Sequence, residues 1–167
     1  MIDPNLFLTF LKDRRSIRAF QDKEIPEKEI EMILEAGRWS PSAINIQPWE
    51  FIQITNKEIL LKISNYAPYG KFISEAPLAI AIVGKTRKSS KWYVIDTSLV
   101  TMNMILMAWT LGIGTCWIGS MEREKVKNLL GLAESDYLLT VLPFGYQRGN
   151  KPEPTPRKSL KRIVKKI

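Results

Sequence analysis

Residues 94–111 are apolar on nearly every side at helical spacing, and this segment constrains the fold more than any other. A helix without a polar face must be surrounded, so the rest of the chain is expected to pack around it as a central core helix. Its apolar run, Met102–Leu111, falls well short of the roughly 20 residues that a membrane span requires. The second constraint is Pro77–Val83 (Pro-Leu-Ala-Ile-Ala-Ile-Val), which reads as a strand apolar on both faces, as central strands are. A chain of 167 residues lies within the span of about 100–200 residues usual for one domain. One α+β domain covering residues 1–167 is therefore expected.

The remaining segments fall around these two. Pro4–Lys12 carries Leu6, Phe7, Phe10 and Leu11 at helical spacing, and Arg14–Phe20 breaks that period as an extended or loop segment. Pro26 opens a helix whose inner face is Ile30, Ile33, Leu34 and Gly37, with Glu27 and Glu29 near its positive end. Two prolines and small polar residues force a loop over 40–48. Trp49–Ile54 reads as a strand, about 57–66 as a helix, and 85–91 as a basic, serine-containing loop. Gly112 and Gly114 end the long helix ahead of an expected strand at Thr115–Gly119. Glu122–Leu130 is an amphipathic helix candidate, and Tyr137–Phe144 a last strand. Residues 149–167, with three prolines, form an extended basic arm.

Two residue counts remove whole classes of chemistry. There is no histidine, which excludes a Ser-His-Asp triad, a Cys-His dyad and a His metal cluster; Cys116 is the only cysteine, so neither a disulfide framework nor a cysteine-rich zinc site exists. No metal site is expected. The lone thiol and an N-terminus without a basic, then apolar, leader point to a cytoplasmic protein. Of the formal charge of +8, residues 151–167 hold +6 and the first 150 only +2. The tail reads as a solvated end, a nonspecific nucleic-acid contact, or a contact to an anionic ligand or partner subunit.

Three segments offer chemistry. In an extended Arg14-Arg15-Ser16-Ile17-Arg18, the alternation puts Arg14, Ser16 and Arg18 on one side and Arg15 on the other, a set of forks and a hydroxyl suited to phosphate or carboxylate. The same run also reads as a solvated basic stretch. The amides of Asn45 and Gln47 can meet a heteroaromatic ring edge or satisfy their own turn. Gly112–Gly119 admits a flat ligand close to the backbone, or merely punctuates a helix and a strand. Cys116 reads as a small buried residue, Met102, Met104 and Met107 as core or interface packing, and Asp96 as a dipole partner or cap without a catalytic role.

Taken in order, Arg14–Phe20 and then Ala36-Gly37-Arg38-Trp39-Ser40-Pro41-Ser42-Ala43-Ile44-Asn45-Ile46-Gln47-Pro48-Trp49 closely resemble the start of the FMN-dependent nitroreductase family. The Gly112–Gly119 run and the basic end near Arg157-Lys158 fall where that family meets the flavin ring and phosphate. The resemblance implies a nitroreductase-like α+β fold with a mainly antiparallel sheet flanked by helices. It implies that Arg14, Arg15 and Ser16 hold the FMN phosphate and ribityl chain, and that Arg18 lies by the pyrimidine end. Pro41, Ser42, Asn45 and Gln47 would contribute to the cofactor site, Asn45 at the flavin edge. Ile118 and Gly119 would face the central nitrogen, and Arg157 or Lys158 the phosphate. The chemistry would be the flavin's, with no protein acid, base or nucleophile and protons from water. Longer members carry a helical excursion over the ring; here only about 66–91 is available, so the substrate site is expected to be more open or completed by a partner.

These implications add up to a homodimer with two FMN at its interface. NAD(P)H would reduce FMN, and a nitroaromatic, quinone or similar small-molecule acceptor would then take the electrons in a ping-pong cycle. Rival readings are a specialised flavin reaction of the same fold (dehalogenation, desaturation or flavin fragmentation), a flavin carrier without turnover, and a basic nucleic-acid-binding module. The last is disfavoured because residues 151–167 contain no aromatic side chain for stacking. The arm, with few apolar residues, should be ordered by the other subunit through Ile163, Val164 and Ile167.

Overall fold

The computed structural model describes residues 2–167; Met1 lies outside the described residues. Four strands, β1 (Trp49–Ile54), β2 (Leu78–Lys85), β3 (Ile113–Thr115) and β4 (Asp136–Tyr146), form one wholly antiparallel sheet in the order β1-β2-β4-β3. The central strand β2 is buried along nearly its whole length, and its two faces feed two different cores. Leu78, Ile80 and Ile82 meet helices α2 (Glu27–Arg38) and α4 (Tyr93–Thr110), whereas Ala79, Ala81 and Val83 meet α3 (Lys57–Asn65) and α5 (Arg123–Leu129). The sheet is thus covered on both faces, which is why its middle strand reads as a continuous apolar run. Among the described residues no helix is long and apolar enough to cross a membrane.

The central helix α4 is surrounded on only part of its circumference. Val100, Met104, Ile105 and Ala108 are buried, but Ile95, Leu99 and Met102 form an exposed stripe. The first helix, α1 (Pro4–Asp13), is capped by Asp3 and buries no residue at all, leaving Leu6, Phe7, Leu8 and Leu11 exposed. Both faces are more apolar than a helix spends on water without a partner.

The expected strand at Thr115–Gly119 is displaced. The strand is Ile113–Thr115, paired with Tyr146, Gly145 and Phe144. Beyond it the Thr115 carbonyl accepts from Ile17 N at 3.0 Å, so the chain has left the sheet before Ile118. A turn at Lys71–Glu75, unforeseen from the sequence, and a single helical turn α6 (Leu160–Ile163) complete the fold. The arm is otherwise without regular structure from Gly149 to Ser159.

Gly114 ties β3 to the arginine segment. A Cβ there would stand 2.7–2.8 Å from the Cβ, Cγ1 and Cγ2 of Ile17, atoms too near the backbone to swing away. We expect Gly114→Ala to cost about 1–3 kcal/mol of stability, the usual penalty of overpacking, as measured by urea unfolding. An unchanged midpoint would show that Ile17 is free to move.

Candidate functional site

The arginine segment leaves α1 at Arg14 and runs extended against the sheet edge. Ile17 N bonds to Thr115, Phe20 bridges Gln147, and Gln21 N donates to the Tyr146 carbonyl at 2.8 Å. Ile17 and Phe20 are fully buried, so Ser16 and Arg18 face outward, as strand alternation requires. Arg14, Ser16 and Arg18 line one cavity of about 550 Å³, and Arg157 from the arm joins them. Arg15 does not lie on the opposite side as alternation predicts. Its long side chain turns back, with Nε donating to Pro152 O at 3.0 Å and Nη1 to Lys12 O at 2.7 Å, so it lines the same cavity and anchors the arm. Lys151 pairs with Asp13 at 2.5 Å beside it. Of the C-terminal basic pair, Arg157 reaches the cavity; Lys158 is exposed and does not line it.

Cations dominate this cavity: Lys12, Arg14, Arg15, Arg18 and Arg157 line it against a single carboxylate, Glu153. Burial, and then the neighbouring Arg157, hold the Arg14 guanidinium below its ordinary pKa. Cations packed together in a partly desolvated pocket are relieved by an anion, and a phosphate with several acceptor oxygens suits guanidinium forks. Cys116 sits against the same segment; burial pushes its thiol up, outweighing Arg18 and Arg14, which pull it down. It is a buried thiol, as the sequence suggests.

The second element is the loop between α2 and β1. Ile44, Asn45 and Gln47 all have positive φ, at 45°, 58° and 53°. For a β-branched residue such as Ile44, which is 91% exposed, that backbone costs on the order of 1 kcal/mol and needs an external hold. The hold comes from α4. Asp96, only 3% exposed, accepts from Ala43 N at 3.2 Å, and Asn103 Nδ2 donates to Ser40 Oγ at 2.8 Å. Within the loop, Ser42 Oγ accepts from Gln47 N at 2.9 Å and Asn45 Oδ1 from Gln47 Nε2 at 3.0 Å. Pro41, Asn45 and Gln47 are exposed and Ser42 half-buried. Asp96 is therefore no helix cap but a clasp for this loop. The readable signal was an acid and an amide, Asp96 and Asn103, seven residues apart on one face of a largely apolar helix.

The third element follows Cys116. Ile118 is buried and its carbonyl accepts from Thr140 Oγ1 at 3.0 Å; the Gly119 carbonyl accepts from Arg123 Nη2 at 2.9 Å. Neither residue donates its amide N–H to any group among the described residues. Nothing lies within 4 Å of the position a Gly119 Cβ would take. Two free donors beside open space can orient the polar edge of a flat ligand.

One chain does not bring the three elements together. The loop over 40–47 is held by the first half of α4, through Asp96 and Asn103, while the arginine segment packs against β3 and Ile118–Gly119 follows it, beyond the other end of α4. Asp96 and Thr110 are separated by roughly 20 Å of helix at a rise of ~1.5 Å per residue. The exposed stripe Ile95, Leu99 and Met102 runs between them.

Comparison with known proteins identifies the family. Residues 11–68 and 64–146 match the family model described as the nitroreductase family. A Methanothermobacter thermautotrophicus protein provisionally named NADH dehydrogenase/NAD(P)H nitroreductase is 37% identical over 86% of this chain and 78% of its own length. The FMN reductase [NAD(P)H] of Bacillus subtilis is 26% identical over 89% of this chain and 57% of its own. The solved structure of an FMN-dependent nitroreductase from Clostridium difficile superposes with a TM-score of 0.87 at 28% identity, covering 95% of this chain and 97% of that one.

Proposed function

Because the chain belongs to the nitroreductase family, we propose that it acts as a homodimer, each of whose two FMN sites takes residues from both subunits, reducing nitroaromatics, quinones or similar small acceptors in a ping-pong cycle. It is an NAD(P)H-dependent oxidoreductase with FMN as its cofactor. The observation that carries the site assignment is the cavity of Arg14, Arg18 and Arg157, where cations outnumber the one carboxylate, Glu153, and none of these three arginines is paired with an acid among the described residues.

The residues fit FMN chemically. Arg14, Ser16 and Arg157 supply forks and a hydroxyl for the phosphate, while Arg15 fixes the arm that delivers Arg157. The free amides of Ile118 and Gly119 donate to a ring edge, and Asn45 and Gln47 offer amides to another. When bound, FMN supplies the two-electron chemistry, taking hydride from a reduced nicotinamide and passing it to an acceptor. Arg18 contributes a fixed positive charge that favours the anionic, reduced form. The chain has no histidine to act as acid or base, and water suffices for the protons.

The dimer reading rests on the two ends of α4. A two-fold axis beside Ile95, Leu99 and Met102 would set the start of one α4 against the end of its copy. The loop over 40–47 of one subunit would then meet the arginine cavity of the other, and the exposed apolar face of α1 would be covered. Purified protein is expected to be yellow and dimeric, to release FMN on denaturation, and to bleach with NADH or NADPH under anaerobic conditions. Recovery of FAD, or apoprotein that fails to bind micromolar FMN, would overturn the assignment.

A further inference from the structure

The basic loop between β2 and α4 belongs to none of the elements above, and most of its charge is unpaired within the described residues. Lys85, Arg87, Lys88 and Lys91 fall within seven residues, and no acidic residue occurs before Asp96. Lys85 is engaged, pairing with Glu50 and with Asp136. Arg87, Lys88 and Lys91 are exposed and meet no carboxylate among the described residues. They also stand at the start of α4, the positive end of an 18-residue helix, where cations are disfavoured and anions favoured. Trp92, at the cap position, supplies no side-chain acceptor there and leaves its indole 50% exposed.

The loop adjoins the cofactor segment at both its ends. Lys85 N donates to Pro48 O at 2.7 Å, immediately after Gln47, and Asp96 holds Ala43 N. At its base, Ser89 is 5% exposed, yet its hydroxyl has no partner among the described residues. Three free cations, an exposed indole and a buried, unanswered hydroxyl thus stand beside the segment assigned to the flavin. Exposed cations adjoining an exposed indole in the chain suit a phosphorylated aromatic base: guanidinium and ammonium groups take the phosphate, and the indole stacks on the ring.

We propose that Arg87, Lys88, Lys91 and Trp92 recognise the phosphorylated adenosine end of the reduced nicotinamide dinucleotide, so that NADPH, with its additional 2′-phosphate, is the preferred donor over NADH. The proposal rests on the flavoenzyme reading for its role in turnover, but its binding site can be tested apart from it. In FMN-saturated protein, quenching of tryptophan fluorescence should show adenosine 2′,5′-bisphosphate binding at least tenfold more tightly than 5′-AMP. The triple variant Arg87→Ala/Lys88→Ala/Lys91→Ala should erase that difference, and its kcat/KM for NADPH should fall roughly 10–100-fold, the effect of losing one or two charge-assisted phosphate contacts, with NADH changed less than threefold. Arg14→Ala, which touches the other anion site, should leave the discrimination between the two nucleotides intact.

Failure of adenosine 2′,5′-bisphosphate to bind more tightly than 5′-AMP overturns the proposal whatever the flavin content. Equal losses for NADPH and NADH do the same. A loss that instead follows the acceptor's charge, seen with 4-nitrobenzoate but not with nitrobenzene, would assign the loop to the acceptor and overturn the nucleotide reading. Absence of FMN from protein that still discriminates the two nucleotides would defeat the flavoenzyme reading and leave this site standing.

Discussion

Arg14→Ala should weaken FMN by roughly 10–150-fold, equivalent to about 1.5–3 kcal/mol, while riboflavin binding changes little. Arg14 is the cation expected to matter most, because it is partly buried beside Arg157 and makes no hydrogen bond that its side chain would have to give up. Arg15, by contrast, has already spent donors on Pro152, Lys12 and Arg14 carbonyls. The apoprotein should not lose stability in this variant. Burial first, and then Arg157, hold the Arg14 guanidinium below its ordinary pKa, so its charge contributes nothing favourable to the empty fold. Loss of FMN with an unchanged or higher apoprotein melting temperature separates binding from unfolding, and titrating both flavins by fluorescence supplies the decisive comparison. Equal losses for FMN and riboflavin would show that Arg14 does not meet the phosphate. Arg14→Lys should fall between, since an ammonium keeps the charge and loses the fork.

The layered fold was legible because its signals are local. Residues 78–83 advertise a doubly buried strand, and α2, α3 and α4 lie within a few residues of the spans their periodicity predicts. What failed depended on partners distant in sequence. Thr115–Gly119 has strand-like side chains, yet pairing ends at Thr115 because Ile17 takes its carbonyl. Alternation separated Arg15 from its neighbours correctly at the backbone, but a long side chain can turn back to a carbonyl 137 residues away. The exposure of α1 could not be read at all: spacing shows that a helix has an apolar face, never what covers it. At the candidate site, residue types identified the arginine segment and the 40–47 loop. That the two lie at opposite ends of α4 needed the structure, and this separation is the argument for a second subunit.

Truncation after Gly149 tests that argument most severely. The arm does two things. Its first half rests on its own chain: Lys151 pairs with Asp13, the Pro152 carbonyl accepts from Arg15, and Arg157 lines the arginine cavity. Its second half carries Leu160, Ile163, Val164 and Ile167, all exposed and without apolar neighbours to bury them. Four large apolar side chains left in water, on a single helical turn and the few residues after it, are unfavourable for an isolated subunit, so their cover is expected from the other one. Removing the arm therefore takes one cation from the cavity, frees Arg15 from its anchor and uncovers part of the interface. We expect FMN retention to fall at least tenfold and the sedimentation coefficient to shift toward that of a monomer at micromolar protein. Both losses should persist at low and high salt, because the interface half of the arm acts through apolar contact. A nucleic-acid role for the +6 tail predicts the reverse, a yellow and fully dimeric truncation product that has lost only salt-sensitive binding to DNA or RNA. That outcome would remove the arm from the active site and leave the arginine cavity to be closed by something else.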